Sequence, residues 1–303
     1  MEITRGRETL SVMSELLRDF TKGHGTENDF VLLPDLDGTR DVSAEQVRRL
    51  ADRRAGIGGD GVIRVVPTSA AVEPEVRAQA GAAPWFMDYR NADGGLAELC
   101  GNGTRVFAAY LRRAGLETGA ELRIATRAGV KTVRFESDAM IAVNLGGWGF
   151  VGPAAATGGD RTGTDATTVV LPGYEPLDAT LLNLGNPHTV VRLPAGTELS
   201  ALNLTTAPVV RPVPEHGTNV EVVEVLAPGH LRMRVHERGV GETRSCGTGA
   251  AAAALAARRW TGDVDDVWRV DVPGGTLRVT ALAGNEVELA GPAELVADGV
   301  VHL

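Results

Sequence analysis

The sequence predicts a mixed α/β (α+β) chain in two similar halves that divide near residue 145. Two observations carry this expectation. Apolar, β-branched runs of about four to eight residues, bounded by Gly, Pro, Asn and Asp, recur along the chain with only a few helix signatures between them. The pattern C-G-x-G-[TA] also occurs twice, as Cys100-Gly101-Asn102-Gly103-Thr104 and Cys246-Gly247-Thr248-Gly249-Ala250, each time opening a helix-forming stretch.

In chain order, DFVLLP (29–34) is a strand that stops at the turn Pro34-Asp35. Ser43, with Gln46 three residues on, makes a capping box and opens a helix over 44–54. GIGGDG (56–61) is a glycine-rich loop that feeds the strand VIRVV (62–66). The Ala/Glu/Pro-rich stretch 67–83 is expected to be a surface excursion. WFMDYRN (85–91) is a strand running into the turn Asn91-Ala92-Asp93-Gly94-Gly95. A helix over 103–114 ends at Gly115, and strands follow at 121–126, 130–136 and 139–145. Residues 146–166 hold seven glycines and little apolar pattern, which marks a linker or exposed loop. The second half has strand signals at 167–171, 180–184, 188–193, 219–226 and 231–239, then a helix over 248–260. A hairpin with Gly274-Gly275 at its turn and two short strands close the chain.

Composition removes several classes of function. The 303 residues carry a net charge of −9, so the basic footprint of a nucleic-acid or membrane-surface partner is missing. The longest apolar stretch, Ala250 to Ala257, falls far short of the roughly 18 residues of a membrane span. The first residues mix charges without an apolar core segment, so no secretory signal is expected. Lys22 and Lys131 are the only lysines, which leaves two candidates for a pyridoxal phosphate Schiff base, neither where one is expected. Cys100 and Cys246 are the only cysteines, and the six histidines are not spaced around them as zinc ligands. Reduced thiols, a cytoplasmic location and no metal site follow as expectations.

The two cysteines carry the chemistry. Each precedes a helix whose first N–H groups lack partners and whose dipole puts about half a positive charge there. That setting can bring a thiol pKa from ~8.5 into the range ~3.5–7.5, and the flanking glycines let backbone N–H groups close around a carboxylate. A single cysteine is ordinarily a small buried hydrophobe. Two copies of the loop holding the only two cysteines favour chemistry: acid and base groups on opposite faces of one carbon remove a proton and return one, inverting the centre without a cofactor.

At this point the segments HGTENDF (24–30), RRAGIGGDG (53–61), NADGGLAELCGNGTRVFA (91–108), GNPH (185–188) and HERGVGETRSCGTGA (236–250) resemble the signature blocks of the diaminopimelate epimerase family. The match runs from about Asp19 to the closing DGVVHL, and the forms with KGHGT and ERGVGETRSCGTG resemble those of high-GC Gram-positive (actinobacterial) bacteria. The resemblance implies a cofactor-independent isomerase that interconverts LL- and meso-diaminopimelate in the synthesis of lysine and of peptidoglycan precursors. It implies two pseudo-symmetric domains, each a strand-rich sheet or barrel around a central helix, with the active site in the cleft between them. Residues 1–144 would form the first domain together with a returning strand, 291–303, and 145–290 the second. The family's members are commonly homodimers, and the partner implied is a small-molecule amino acid.

Carried over by position, Cys100 and Cys246 match the catalytic cysteines, while Gly101, Asn102, Gly247 and Thr248 match the backbone that binds the substrate carboxylate. Asn28, Asn91, Asn186 and Asn219 match the substrate asparagines, Glu237 the contact to the ammonium group and Arg238 that to the distal carboxylate. His188, with Glu237, matches the groups that adjust a cysteine's pKa. Read without the resemblance, Asn91 is equally a turn residue, Asn28 a cap, Glu237-Arg238 a solvated ion pair and His188 a structural histidine. Two positions depart from the family pattern: Glu27 where glycine is frequent, and Gly61 where some members have a substrate-contacting Gln. The alternative within the same superfamily is a racemase of proline, hydroxyproline or histidine, against which CGNG and ERGVGET argue. A non-catalytic anion-binding protein is the alternative of another class, and the presence of both cysteines argues against it.

Overall fold

The computed structural model describes residues 17–137, 139–152, 167–262 and 266–303. They form two compact units. Unit 1 holds the described residues through Gly25, Asp29–Val133 and Ala293–Leu303; unit 2 holds Thr26–Asn28 and Arg134–Pro292.

Unit 1 begins with a strand that the sequence reading missed, β1 (Leu17–Gly25), which pairs with β2 (Asn28–Pro34). β2 runs parallel to β3 (Gly61–Pro67), β3 antiparallel to β4 (Trp85–Asn91), and β4 parallel to β5 (Glu121–Ala125). Each parallel step is crossed by a helix, as parallel pairing requires: α1 (Ala44–Ala51) between β2 and β3, and α3 (Gly101–Arg113) between β4 and β5. The Ser43–Gln46 capping box closes on both sides at the start of α1, whose Val47 and Leu50 pack with Val31, Leu33 and Val62. A short helix, α2 (Pro74–Arg77), lies in the stretch expected to be a surface excursion. That expectation is corrected: Val76, Ala71 and Ala83 are core residues against Val66, Phe86 and Ala125. β19 (Glu294–His302) completes the unit, antiparallel to β1 from Leu17↔His302 to His24↔Glu294. α3 packs against β1, β3, β4 and β19.

The units divide inside β6 (Lys131–Ser137), between Val133 and Arg134, rather than near residue 145. The reason is pairing: β7 (Met140–Gly147) is laid antiparallel on β18 (Glu286–Gly291), which places it in unit 2. β8 (Gly149–Phe150) pairs with β10 (Leu177–Asn183), inside the stretch read as linker; residues 153–166 of that stretch lie outside the described residues. β9 (Thr168–Val170) also pairs with β10 and with β12 (Val209–Arg211). β10 is antiparallel to β11 (Pro187–Arg192), β11 parallel to β13 (Asn219–Ala227), β13 antiparallel to β14 (His230–Glu237), and β14 parallel to β16 (Val267–Val272). β15 (Gly241–Thr243) folds back on β14. β17 (Gly275–Leu282) continues the ladder from β16 to β18.

The helix α4 (Gly247–Thr261) packs against β10, β11, β13, β14, β16, β17 and β18. A helix that is apolar all round belongs in an interior, and every residue from Ala250 to Ala257 is buried. Alanine is what lets strands approach from so many sides. The helix stops at Gly262, whose left-handed φ of 63° suits glycine.

The two units repeat one sequence of elements: an antiparallel pair, a parallel step, an antiparallel step, a buried helix, and a second parallel step. β1, β2, β3, β4, α3 and β5 correspond to β10, β11, β13, β14, α4 and β16. They also trade strands: β8, which follows the first repeat, pairs with β10 in unit 2, and β19, which follows the second, pairs with β1 in unit 1. Among the described residues no helix is long and apolar enough to cross a membrane.

The buried α4 makes a direct prediction. Ala253 is fully buried, so Ala253→Leu overpacks the unit and lowers stability by about 1–3 kcal/mol, read as a shift in the urea unfolding midpoint.

Candidate active site

Cys100 and Cys246 occupy the same structural position. Each is the N-cap of a buried helix in extended backbone geometry, φ −138° and ψ 113° for Cys100, φ −122° and ψ 118° for Cys246. In each the sulfur accepts the backbone N–H three residues on: Gly103 N–H to Cys100 Sγ at 3.3 Å, Gly249 N–H to Cys246 Sγ at 3.4 Å. The sulfur thus answers one of the helix's unpaired N–H groups, as a serine or aspartate oxygen would, and keeps a group that can ionise.

In unit 1, Gly101 and Asn102 form the buried first turn of α3 behind Cys100. Arg105, fully buried on the same helix, has its pKa pushed down to about 10 by burial, an effect that the Cys100 thiolate opposes. Its Nη2 stands against Gly25, where a Cβ would come within 2.9 Å of it. Asn91 ends β4 opposite Gly61 and makes the turn expected of it, with its N–H on Gly95 O at 2.9 Å and its carbonyl accepting Gly94 N–H at 2.9 Å. A charged cluster holds this turn and the start of β2 together. Lys22 and Arg53 both donate to Asp29, at 2.6 Å for Lys22 Nζ, and Arg53 reaches Asp60 at 2.8 Å. Asp29 N–H donates to Asp60 Oδ2 at 3.2 Å and Ala92 N–H to Asp60 O at 3.1 Å. Asp29 follows Asn28 and Ala92 follows Asn91, so Asp60 fixes the backbone beside both asparagines. At Gly61 a Cβ would meet Tyr89 Cε2 at 2.5 Å: the tyrosine ring takes the space of a side chain there.

Unit 2 gathers the other predicted residues. Asn186 Nδ2 donates to Thr248 Oγ1 at 3.3 Å, and Thr248 Oγ1 lies 3.7 Å from Cys246 Sγ. His188 Nε2 is 2.9 Å from Asn186 Oδ1. Asn219, paired with His188 across the parallel ladder, accepts the Arg238 N–H at 2.9 Å. Arg238 donates to His216 O at 2.8 Å, and Glu237 accepts from the Thr243 hydroxyl. Asn28 belongs to unit 2 with Thr26 and Glu27; Thr26 and Ser245 share a hydroxyl contact of 2.7 Å, and Arg244 is ion-paired with Glu27. Thr26 and Glu27 both take positive φ, 52° and 61°, which explains why glycine suits this turn.

One expectation about Cys246 is corrected. Its thiol is pushed well above the ordinary range, first by burial and then by the acids Glu237 and Glu221, which outweigh the Gly249 N–H and Thr248 contacts. The helix N-terminus alone does not set the acidity. Glu221 was missed in the sequence. It lies fully buried in β13, 2.7 Å from His188 Nδ1; the signal in the sequence was an acid between valines in NVEVV, the stretch of β13 that is buried throughout. Among the described residues, no group of three or more His, Cys, Asp or Glu side chains is placed to hold a metal ion.

The family profile described as Diaminopimelate epimerase matches residues 20–151 and 180–296. A diaminopimelate epimerase of Thermobifida fusca (strain YX) is 46% identical over 288 residues, 94% of this chain and 98% of the relative. One of Streptomyces coelicolor is 45% identical over 92% of this chain and 94% of the relative. Among solved structures, a hydroxyproline epimerase from Agrobacterium vitis superposes with a TM-score of 0.63 at 14% identity, covering 95% of this chain and 92% of that one. A Bacillus anthracis phenazine biosynthesis protein of the PhzF family gives 0.62 at 18% identity, covering 95% and 99%. These structures share the two-domain fold.

Two measurements test the site. Glu237→Gln removes a negative charge that holds the Cys246 proton, so the thiol pKa falls and alkylation of Cys246 by iodoacetamide, followed by peptide mass spectrometry, starts at lower pH than in the parent protein. Gly249→Ala would put a Cβ 2.8 Å from Glu221 Oε1 and 3.2 Å from Cys246 Sγ; the expected outcome is a fall in kcat larger than the loss of thermal stability accounts for.

Proposed function

The chain belongs to the diaminopimelate epimerase family, and from that premise we propose that Cys100 and Cys246 are the two acid–base groups with which it interconverts LL- and meso-2,6-diaminopimelate. The chain is an isomerase of lysine biosynthesis. The observation that carries the catalytic reading is the repeated cap: two ionisable sulfurs, each on the N-terminus of a buried helix and each with an N–H at 3.3–3.4 Å.

One cysteine acts as thiolate and takes the α-proton; the other, a thiol, delivers its proton to the opposite face of the same carbon. One C–H bond breaks and one forms, the electron pair stays on carbon until reprotonation, and the two sulfurs exchange protonation states. The reverse direction exchanges their roles. A Cys246 thiol held protonated by burial and by the nearby Glu237 suits the donor role when Cys100 is the base. The N–H groups of Gly101, Asn102, Gly247 and Thr248 bind the substrate carboxylate, where helix dipoles offset the charge that develops as the proton leaves. Asn28, Asn91, Asn186 and Asn219 bind the substrate's polar groups without adding charge, Glu237 takes the ammonium group, and Arg238 the distal carboxylate. His188 and Glu237 tune the Cys246 thiol. The scheme uses neither pyridoxal phosphate nor a metal. The same reading makes the protein a cytoplasmic homodimer whose partner is a small amino acid, with no nucleic acid or membrane involved.

Incubation with LL-diaminopimelate in deuterium oxide tests this. The meso isomer forms with deuterium at the inverted carbon, without added pyridoxal phosphate and in the presence of chelator; activity that appears only on adding the cofactor overturns the scheme. Cys100→Ser and Cys246→Ser each fold but lose epimerisation by a factor on the order of 10² to 10⁴ or more, since a hydroxyl caps the helix without ionising. Each retains elimination from a β-substituted analogue of opposite α-configuration, because elimination needs only one base.

A further inference from the structure

The frame around the two cysteines repeats, and the side chains that stand against them do not. Phe30 pairs with Gly61 at the start of one parallel ladder and His188 with Asn219 at the start of the other, so Phe30 corresponds to His188 and Ile63 to Glu221. At Gly103, a Cβ would meet Ile63 Cδ1 at 3.3 Å and Phe30 Cζ at 3.4 Å. At Gly249, it would meet Glu221 Oε1 at 2.8 Å and Cys246 Sγ at 3.2 Å. An apolar pair behind Cys100 is thus replaced by a histidine and an acid behind Cys246.

Donor and acceptor accounting fixes how many protons that pair holds. Asn186 gives its Nδ2 hydrogen to Thr248 Oγ1, so its Oδ1 is the acceptor facing His188 Nε2, and Nε2 must carry a hydrogen. His188 Nδ1 faces Glu221 Oε1 at 2.7 Å, and that short contact also needs a hydrogen. The pair therefore holds one proton more than a neutral imidazole beside a carboxylate. It is either an imidazolium with a carboxylate or a neutral imidazole with a carboxylic acid. Both side chains are 0% exposed, and Glu221 Oε2 has no hydrogen-bond partner among the described residues. A charged oxygen left bare in the interior is far more costly than a neutral carbonyl.

We propose that Glu221 is a carboxylic acid that donates to His188 Nδ1, and that this neutral pair orients the chain His188–Asn186–Thr248 so that the Thr248 hydroxyl donates to the Cys246 sulfur. Burial raises the Glu221 pKa in the same direction. Thr248 already accepts from Asn186, which leaves its own hydrogen for Cys246 Sγ, 3.7 Å away. Of the acids that act on Cys246, Glu237 alone then carries charge, and the thiolate formed in turnover receives hydrogen bonds from Thr248 and the Gly249 N–H. Glu221 is a positioning residue, and it makes the second cysteine chemically distinct from the first. The inference deepens the epimerase reading and rests on it for its consequence in turnover, though the protonation state is measured without substrate.

The test is nitrogen NMR of protein labelled with ¹⁵N-histidine, the His188 signals being assigned by their loss in His188→Asn. The expected spectrum is a neutral ring with Nε2 protonated and Nδ1 bare; an imidazolium, with both nitrogens protonated at neutral pH, overturns the proposal. Glu221→Gln keeps a donor to Nδ1 and so keeps that tautomer, whereas Glu221→Leu does not and mixes the two tautomers. In turnover, Glu221→Leu lowers kcat by about a hundredfold with little change in KM, and Glu221→Gln runs at least about tenfold faster than Glu221→Leu. Equal rates in the two variants overturn the proposal as well. A chain that lacks epimerase activity with a neutral Nε2–H ring at His188 would instead refute the functional reading and leave the protonation state standing.

Discussion

The constraint on which this structure depends is the burial of most of one helix in each unit. A helix wrapped by strands cannot offer its first N–H groups to water, so something at its N-terminus has to accept them. In both units a cysteine sulfur accepts one of them. In the proposed scheme the demand of the fold and the demand of the chemistry therefore fall on one atom: the group that closes the helix is the group that ionises. The alanines of α4 follow from the same constraint, since only small side chains let seven strands reach one helix. The glycines after each cysteine follow too, because Gly249 leaves room for Glu221 and Gly103 for Ile63 and Phe30.

Duplication explains the geometry and divergence the chemistry. Corresponding strands carry the two caps to nearly identical backbone angles, yet Cys100 shares its unit with a buried guanidinium on its own helix and Cys246 with Glu221 and Glu237. The position on α4 that matches Arg105 is Ala251. A cation favours a thiolate, and a nearby carboxylate such as Glu237 favours a thiol. Symmetric scaffolding with asymmetric charge is what a reaction needs when one base must be empty while the other is loaded.

Much of this was legible in the sequence, for physical reasons that separate the parts that were from those that were not. The strands β3, β4 and β13 announce themselves because runs such as VIRVV and NVEVV are bounded by turn residues, and the helices α1 and α4 because capping and periodicity are local. β1 was missed because LRDFTKGHG is half polar and is held as a strand by β2 and by β19, the latter at the far end of the chain. The packing of Val76 into the core was hidden for the same reason: its neighbours Phe86 and Ala125 come from elsewhere. The twin cysteine loops were plain. The raised acidity threshold of Cys246 was not, since it arises first from burial and then from the acids Glu237 and Glu221, and it is the folding of strands around the helix that buries the thiol and brings Glu221, 25 positions away, close.

The traded strands govern how this chain can be made. β1 is the first described strand of unit 1, and its partner β19 follows the whole of unit 2. Until β19 has been made, β1 has β2 on one side and a bare edge of peptide groups on the other, and the helix that carries Cys100 lacks one of its walls. Vectorial folding from the N-terminus is thus closed to the first unit. The second unit, which draws its extra strand β8 from upstream, can be completed earlier. An exposed edge that must wait for β19 is a site for chaperone capture or for pairing with another nascent chain, and unit 1 closes only after unit 2 has been made.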